Sequence, residues 1–221
     1  MREVLGLDTA VTSLTPTDLI RAVLTAPVDL LWNGGVGTYV KASTETHADV
    51  GDKSNDALRV DGRDLRAACV GEGGNLGFTQ AGRIAFAANG GRNNTDAIDN
   101  SAGVDTSDHE VNIKILLGSA IKSGALPSED RNALLASMTD EVGRKVLAHN
   151  YDQTLALSLQ QAEGPAGLDA QQKFMQTLSA RGKLDRKVEG LPNDIQVNEM
   201  RGLGKALVRP EMAVLMAYSK L

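Results

Sequence analysis

A second cysteine, an excess of basic charge and long apolar runs are all missing from this sequence of 221 residues, and each absence excludes a class of protein. Cys69 is the only cysteine, so neither an intrachain disulfide nor a thiolate zinc cluster can form. It lies in a predicted strand, where a buried and inert thiol is the favoured interpretation. No apolar run approaches the roughly 18 residues that a membrane-spanning helix needs.

The charge balance is acidic. Twenty-three Lys and Arg residues against 28 Asp and Glu residues give a formal net charge of -5, and the basic residues are scattered along the chain. This distribution argues against a nucleic-acid partner and leaves no basic amphipathic face for a membrane surface. The opening segment, residues 1–6, has neither the basic start nor the apolar core of a signal peptide, so we expect a cytoplasmic protein.

Glycines before residue 100 mostly follow short apolar runs, which is typical of strands that end in loops. Strands are predicted at Val28–Trp32, at Ala67–Val70 and at Arg83–Ala87. A helix is predicted over Asp18–Leu24, with Thr15 or Thr17 as its cap. Helix, strand and glycine in this order indicate an α/β fold with a partial doubly wound, Rossmann-like sheet. Ligands of such sheets bind beyond the carboxyl ends of the strands.

The later part of the chain has helical periods, so we predict an all-helical C-terminal portion. Ser107-Asp-His-Glu110 has the pattern of a capping box and predicts that a helix begins at Ser107. A second helix is predicted after Pro127, with apolar residues spaced by four, and a last one near Pro210. The methionines of the last helix are interpreted as core residues.

Taken alone, the glycine motifs are weak signals for a nucleotide. Gly71-Glu-Gly-Gly-Asn-Leu-Gly77 fails the strict G-x-G-x-x-G pattern, because Leu76 stands where the third glycine belongs. Gly35-Val-Gly37 fails in the same way at Val40. On pattern alone, plain turns are favoured over phosphate-binding loops.

Two acidic clusters allow more than one interpretation. Asp96 and Asp99 could act as a general acid and base, but hydrogen bonds to nearby backbone are favoured. The residues Asp105–Glu110 could suggest a metal, yet capping accounts for them and we predict no metal site. The amino end of a helix at Ser107 could instead receive a substrate carboxylate.

Three long motifs carry a family resemblance. Residues 29–42 read Asp-Leu-Leu-Trp-Asn-Gly-Gly-Val-Gly-Thr-Tyr-Val-Lys-Ala, residues 70–80 read Val-Gly-Glu-Gly-Gly-Asn-Leu-Gly-Phe-Thr-Gln, and residues 94–114 run from Asn-Thr-Asp-Ala-Ile-Asp-Asn-Ser-Ala-Gly-Val into Asp-Thr-Ser-Asp-His-Glu-Val-Asn-Ile-Lys. Together they resemble the large bacterial NAD-specific glutamate dehydrogenases. The resemblance continues to residues 209–220 and covers nearly the whole chain.

The resemblance implies roles for individual residues. Glu72-Gly-Gly-Asn75 resembles the Glu-Gly-Ala-Asn turn of the smaller hexameric glutamate dehydrogenases, and residues 100–107 resemble their Asn-Ala-Gly-Gly-Val-x-x-Ser segment. By this likeness, NAD is the expected cofactor, with contacts from Gly34, Gly35, Gly73, Asn75 and Asn100. The substrate, L-glutamate or 2-oxoglutarate, is expected to contact Val104 and Ser107.

The same resemblance implies that the chain is a fragment. Residues 1–106 would be the second half of a dinucleotide-binding domain and residues 107–221 a helical region. No segment resembles the catalytic lysine or the first pyrophosphate-binding unit, so we expect no catalytic residue here and no activity of the chain alone. The full-length enzyme is expected to be a homo-oligomer. The competing hypothesis is a non-catalytic helical packing or oligomerisation module with purely structural glycine loops.

Overall fold

The structure, a computed structural model, describes residues 2–221. They divide into two compact units: the first runs up to Asp99 and resumes over Leu157–Leu221, and the second comprises Asn100–Ala156. These units do not coincide with the expected division at residues 106 and 107, because the helices after Leu157 belong to the same unit as the strands. The assignment of residues 1–106 to a dinucleotide-binding domain stays a prediction.

Within residues 2–221 the chain forms four short strands, which are β1 (Leu30–Asn33), β2 (Val40–Lys41), β3 (Val60–Asp61) and β4 (Cys69–Glu72). β1 pairs with β4 in parallel, with Leu30 opposite Cys69 and Asn33 opposite Glu72. β2 pairs with β3, also in parallel. Parallel strands need crossover connections, as the α/β class requires. The predicted α/β fold with a partial sheet is therefore confirmed.

The helices account for most of the remaining chain. They are α1 (Pro16–Leu24), α2 (His47–Val50), α3 (Gln80–Ala88), α4 (Asp96–Asp99), α5 (Ser101–Lys122), α6 (Arg131–Glu163), α7 (Leu168–Ala180), α8 (Asp194–Gly202) and α9 (Arg209–Tyr218). α1 begins at Pro16, two residues before the predicted span, and Thr15 caps it as predicted, because its hydroxyl accepts the Asp18 N–H. Among residues 2–221, we find no helix that combines the length and the apolar character needed to cross a bilayer.

The predicted strand at Arg83–Ala87 is wrong, because these residues lie in α3. Thr79 caps this helix by accepting the Gly82 N–H at 2.9 Å. The alanines of the segment favour a helix, and helical geometry directs Arg83 and Phe86 into the interior, where both are buried. Besides β1, the backbone that pairs with β4 is that of Arg92, which forms an isolated parallel β-bridge with Cys69.

The predicted helix start at Ser107 is also wrong. α5 begins at Ser101 with Asn100 in the N-cap position, so Ser107 lies in its second turn and does not cap it. The Ser-x-x-Glu pattern identifies a helix end only when no helix precedes it, and Gly103 does not interrupt this one. A substrate carboxylate at Ser107 therefore receives no help from unpaired backbone N–H groups at a helix end.

The first unit contains two apolar clusters. One surrounds the strands and comprises Val40, Val60, Leu65, Ala67, Val70, Phe78 and Phe86. The other joins the last helices and includes Leu157, Leu168, Met175, Val197, Leu207 and Met212. Met212 is fully buried, so the interpretation of this α9 methionine as a core residue is confirmed. Both clusters lie within the unit that carries the glycine loops, and the first includes Val70 and Phe78 on either side of the glycine turn.

Candidate functional site

Two glycine-containing loops meet at the carboxyl ends of β1 and β4. The first glycine loop comprises residues 33–37, and the glycine turn comprises residues 73–77. The backbone N–H groups of Gly73 and Gly74 both donate to the carbonyl oxygen of Asn33, at 2.9 and 3.2 Å. The two loops therefore lie side by side at the edge of the parallel strands, which is where ligands of open α/β sheets bind.

Close packing explains why glycine stands at two of these positions. A Cβ atom at Gly73 would come within 2.3 Å of the indole of Trp32, and one at Gly74 within 2.5 Å of the carbonyl oxygen of Gly35. Gly35 is different, since a Cβ there would meet no atom within 4 Å. Gly73 thus lets the backbone pack against the Trp32 side chain and Gly74 lets it pack against the backbone of Gly35, whereas Gly35 itself borders open space.

The outer side of these loops is accessible. Gly34, Gly35 and Asn75 are exposed, while Gly73 is half-buried behind them. Exposed glycine backbone lets a ligand approach the main chain closely, and the Asn75 amide carries both a donor and an acceptor. The structure therefore brings four of the sequence-predicted cofactor contacts together in one unit, and their chemistry fits the uncharged nicotinamide carboxamide and ribose hydroxyls of NAD.

A buried ion-pair network lies beneath the glycine turn. We call it the carboxylate clamp, and it consists of Glu72, Asp96 and Asp99 around the guanidinium of Arg83 on α3. Arg83 donates from Nε to Glu72 Oε2 at 2.7 Å and from Nη2 to Glu72 Oε1 at 2.9 Å. The same Nη2 lies 3.1 Å from Asp96 Oδ2. One cation thus contacts two carboxylates away from solvent. The carboxylates are 11 and 13 residues from Arg83 in sequence, so no local sequence pattern predicts this arrangement.

Burial shapes the acid–base properties of the clamp. Burial raises the pKa of the Glu72 carboxyl above its ordinary value, although the hydrogen bonds and charge of Arg83 oppose the shift. Burial likewise raises the pKa of Asp99, against hydrogen bonds from Asn94 and from the Glu72 N–H. For Arg83, burial works to lower the pKa, but Glu72 and Asp96 outweigh it and the net pKa is raised. The guanidinium therefore stays charged.

Each carboxylate of the clamp also accepts a backbone N–H from the polypeptide at the glycine turn. Asp96 accepts from Leu76 at 2.8 Å, Glu72 accepts from Phe78 at 3.0 Å, and Asp99 accepts from Glu72 at 2.9 Å. These bonds support the structural interpretation of Asp96 and Asp99 over a general acid–base pair. Asp96 also accepts the N–H of its neighbour Ala97 at 2.9 Å, which is a local bond of the predicted kind, whereas the Leu76 and Glu72 donors lie 20 and 27 residues away in sequence.

The remaining predicted contacts lie on α5 in the second unit. Asn100, Val104 and Ser107 are spaced by four and three residues, so they share one stripe of the helix. Val104 and Ser107 are exposed, and Asn100 is half-buried at the helix start. On the same helix, Asp105 contacts His109 at 3.1 Å and reaches His149 of α6 at 2.7 Å. That carboxylate ties the two helices of this unit together.

A cavity of about 610 Å³ opens on the face of the β1–β4 pair. Trp32, which is 60% exposed, lines it together with Cys69 and the cations Arg92 and Arg209. Among the described residues, its lining includes none of the predicted cofactor contacts. Cys69 is half-buried here, not buried as expected. Trp32 and Arg209 were not among the predicted site residues, since a lone Trp in a strand is first of all a core candidate.

Comparisons with known proteins agree with the motifs. A family described as "Bacterial NAD-glutamate dehydrogenase, catalytic domain" matches residues 1–160. The NAD-specific glutamate dehydrogenase of Pseudomonas aeruginosa is 59% identical over 208 residues, which are 94% of this chain and 13% of that protein. The corresponding proteins of Halomonas elongata and Mycobacterium tuberculosis are 53% and 48% identical over 94% and 100% of the chain. The chain spans 13–14% of the length of these relatives.

Proposed function

Because the chain belongs to the bacterial NAD-glutamate dehydrogenase family, we propose that it forms the nicotinamide side of the active site in a longer enzyme. The proposed reaction is the oxidative deamination of L-glutamate with NAD and water, which yields 2-oxoglutarate, ammonium, NADH and a proton. The cofactor supplies the hydride chemistry when bound, and the protein supplies orientation and charge placement. The residues of this chain act by binding and orientation alone.

On the cofactor side, Gly34, Gly35, Gly73 and Asn75 hold the nicotinamide ribose region. The observation that carries this proposal is the pair of hydrogen-bonded loops at the carboxyl ends of β1 and β4, which present accessible backbone and the exposed Asn75 amide. Asn100, at the start of α5, completes the cofactor contacts by resemblance.

On the substrate side, Val104 and Ser107 contact the glutamate. The one-stripe arrangement of Asn100, Val104 and Ser107 supports this assignment, because a single helix face can then meet cofactor and substrate together. Ser107 contributes its hydroxyl as a hydrogen-bond donor to a substrate carboxylate, and Val104 contributes apolar surface. Neither residue exchanges a proton with the substrate, which is why the proton transfers are assigned to residues outside this chain.

The cofactor assignment is tested by steady-state kinetics of the complete enzyme. Replacing Asn75 by Ala removes a hydrogen-bonding side chain, so the KM for NAD is expected to rise about fivefold with the KM for glutamate little changed. The exposed Asn132 at the start of α6 provides the matched control, and Asn132→Ala is expected to leave both constants unchanged. Equal constants for wild type and Asn75→Ala would contradict the cofactor contact.

Ser107 is tested against a serine on the same helix. Ser107→Ala is expected to raise the KM for glutamate about fivefold without lowering the melting temperature, since Ser107 does not cap α5. Ser119→Ala, also exposed on α5, is the control and is expected to behave as wild type. A KM for glutamate that stays constant in Ser107→Ala would remove this residue from the site.

The purified chain alone is expected to show no glutamate-dependent formation of NADH, because the proposal assigns it neither the catalytic lysine nor the pyrophosphate-binding unit. The assay is the absorbance of NADH at saturating glutamate. Turnover by the isolated 221-residue chain would refute this part of the proposal.

A second role, in oligomerisation, is favoured by the surface of α5 and α6. Val111, Ile115, Leu116 and Leu147 are all half or more exposed in this unit, which is unusual for large apolar side chains that meet only water. We infer that they pack against further protein in a homo-oligomeric full-length enzyme. Sedimentation of the complete enzyme tests this, because Ile115→Ser with Leu116→Ser is expected to shift it to smaller species, and an unchanged assembly would contradict it.

A further inference from the structure

The conformation of Leu76 needs an explanation. Its φ of 60° makes it the one residue other than glycine with a positive φ within residues 2–221. The left-handed region is unfavourable for a side chain with a Cβ atom. Leu76 is also 64% exposed, so packing of its own side chain does not hold it there. The restraint must therefore act on the backbone of the turn.

We propose that the carboxylate clamp is a positioning device that keeps Leu76 left-handed and thereby orients Asn75 towards the cofactor. The inference rests on the proposed function, because it takes Asn75 as a cofactor contact. Asp96, Glu72 and Arg83 are positioning residues, and none of them touches the reacting atoms.

The direct restraint is the hydrogen bond from the Leu76 N–H to Asp96 Oδ2, at 2.8 Å. A second one acts two residues later, where the Phe78 N–H donates to Glu72 Oε1 at 3.0 Å. The glycine turn is thus fastened on the far side of Asn75, while Gly73 and Gly74 fasten the near side to Asn33. Asn75 lies between the two anchors, so its side-chain direction follows the backbone of Leu76.

Arg83 makes this restraint rigid. Its guanidinium is buried and contacts the two carboxylates that hold Leu76 and Phe78. Without a cation, two neighbouring carboxylates in a buried site would repel each other. With it, both acceptors are fixed to α3, and the planar guanidinium allows little sideways movement. The turn is therefore held by side chains of α3 and α4, and such preorganisation favours binding.

The test compares variants of the complete enzyme by the KM for NAD and by melting temperature. Asp96→Ala removes the acceptor of the Leu76 N–H and is expected to raise the KM for NAD about tenfold. Adding Leu76→Gly is expected to recover at least a third of the lost affinity, because glycine adopts a positive φ without the restraint. A structural role alone would lower the melting temperature without any recovery in KM. Failure of the second substitution to recover the KM would overturn the inference.

Two further variants keep the outcome unambiguous. Asp185→Ala is the matched control, since this exposed carboxylate accepts the N–H groups of Lys187 and Val188 in a turn elsewhere, and it is expected to leave the KM unchanged. If Asp96→Ala does not fold, Asp96→Asn carries the test. It keeps an acceptor for Leu76 and loses the charge, so a KM raised between twofold and fivefold supports the device, and a wild-type KM with a lowered melting temperature overturns it.

Asn75→Ala in the same assay separates this inference from the proposed function. If Asn75→Ala raises the KM for NAD and Asp96→Ala does not, the positioning role fails and the cofactor contact stands. If Asn75→Ala leaves the KM unchanged, the cofactor contact itself fails, and the positioning role fails with it.

Discussion

Glu211 couples the stability of the first unit to pH. Its carboxyl lies in the first turn of α9, is 7% exposed and accepts the Val208 N–H at 2.8 Å. Burial raises the pKa of Glu211 from 4.5 to about 7, although the hydrogen bond from Val208 opposes the shift. The folded chain therefore holds a proton that the unfolded chain releases at lower pH.

The size and sign of the effect follow from linkage. Below about pH 4.5 both states are protonated and the group contributes no difference. As pH rises towards 7, the unfolded chain ionises while the folded chain does not, so stability falls. Above pH 7 the folded chain carries a buried charge, and the total loss is roughly 3 kcal/mol, from the gap between 4.5 and about 7.

Urea unfolding of the purified chain, repeated between about pH 5 and pH 8, measures this loss. Glu211→Gln has the same shape, keeps an oxygen for the Val208 N–H and does not titrate. Between these two pH values, the difference in free energy of unfolding between the variant and the wild type is expected to grow by roughly 2–3 kcal/mol in favour of the variant. Other titrating groups are common to both proteins and cancel in this difference. Parallel stability curves for the two proteins would refute the reasoning.

Three further predictions concern stability of the same unit, each measured by urea unfolding. Arg83→Met is expected to cost about 4 kcal/mol, because it leaves the Glu72 carboxylate buried without its cation, and a loss under 1 kcal/mol would contradict the charged state of the clamp. Met175→Ala, at a fully buried position, is expected to cost about 3 kcal/mol through the cavity it leaves; a neutral result would mean that the helical cluster is loosely packed. Thr79→Ala is expected to cost about 1 kcal/mol by removing the cap of α3, with Thr79→Ser as the control that retains it.

The sequence predicted those elements for which several local signals indicate the same structure. The strands at β1 and β4 and the helix α1 with its Thr15 cap combine apolar period, end signals and glycine or proline punctuation. The segment Arg83–Ala87 was predicted as a strand because its residues alternate weakly between apolar and polar. The contact that favours the helix joins Arg83 to Glu72, which is too far away in sequence for a local pattern to include. Tertiary packing overrode the pattern there.

The candidate site was predictable to the extent that it lies in loops. Gly34, Gly73 and Asn75 follow two predicted strands, and parallel pairing brings their carboxyl ends together, so the meeting of the loops follows from the sequence. The true start of α5 does not follow from the sequence, because a capping pattern such as that at Ser107 also occurs in the middle of a helix. The left-handed Leu76 could not be foreseen either, since leucine disfavours that conformation and only the acceptor at Asp96 explains it.

Equilibrium binding of NADH to the complete enzyme, followed by its fluorescence, tests the central claim most directly. With Asn75→Ala, the Kd for NADH is expected to rise about fivefold over wild type, which corresponds to the loss of one ligand hydrogen bond of about 1 kcal/mol. The Asn132→Ala control is expected to bind as wild type does. An unchanged Kd in Asn75→Ala would contradict the claim that the glycine turn of this chain holds the nicotinamide side of the cofactor.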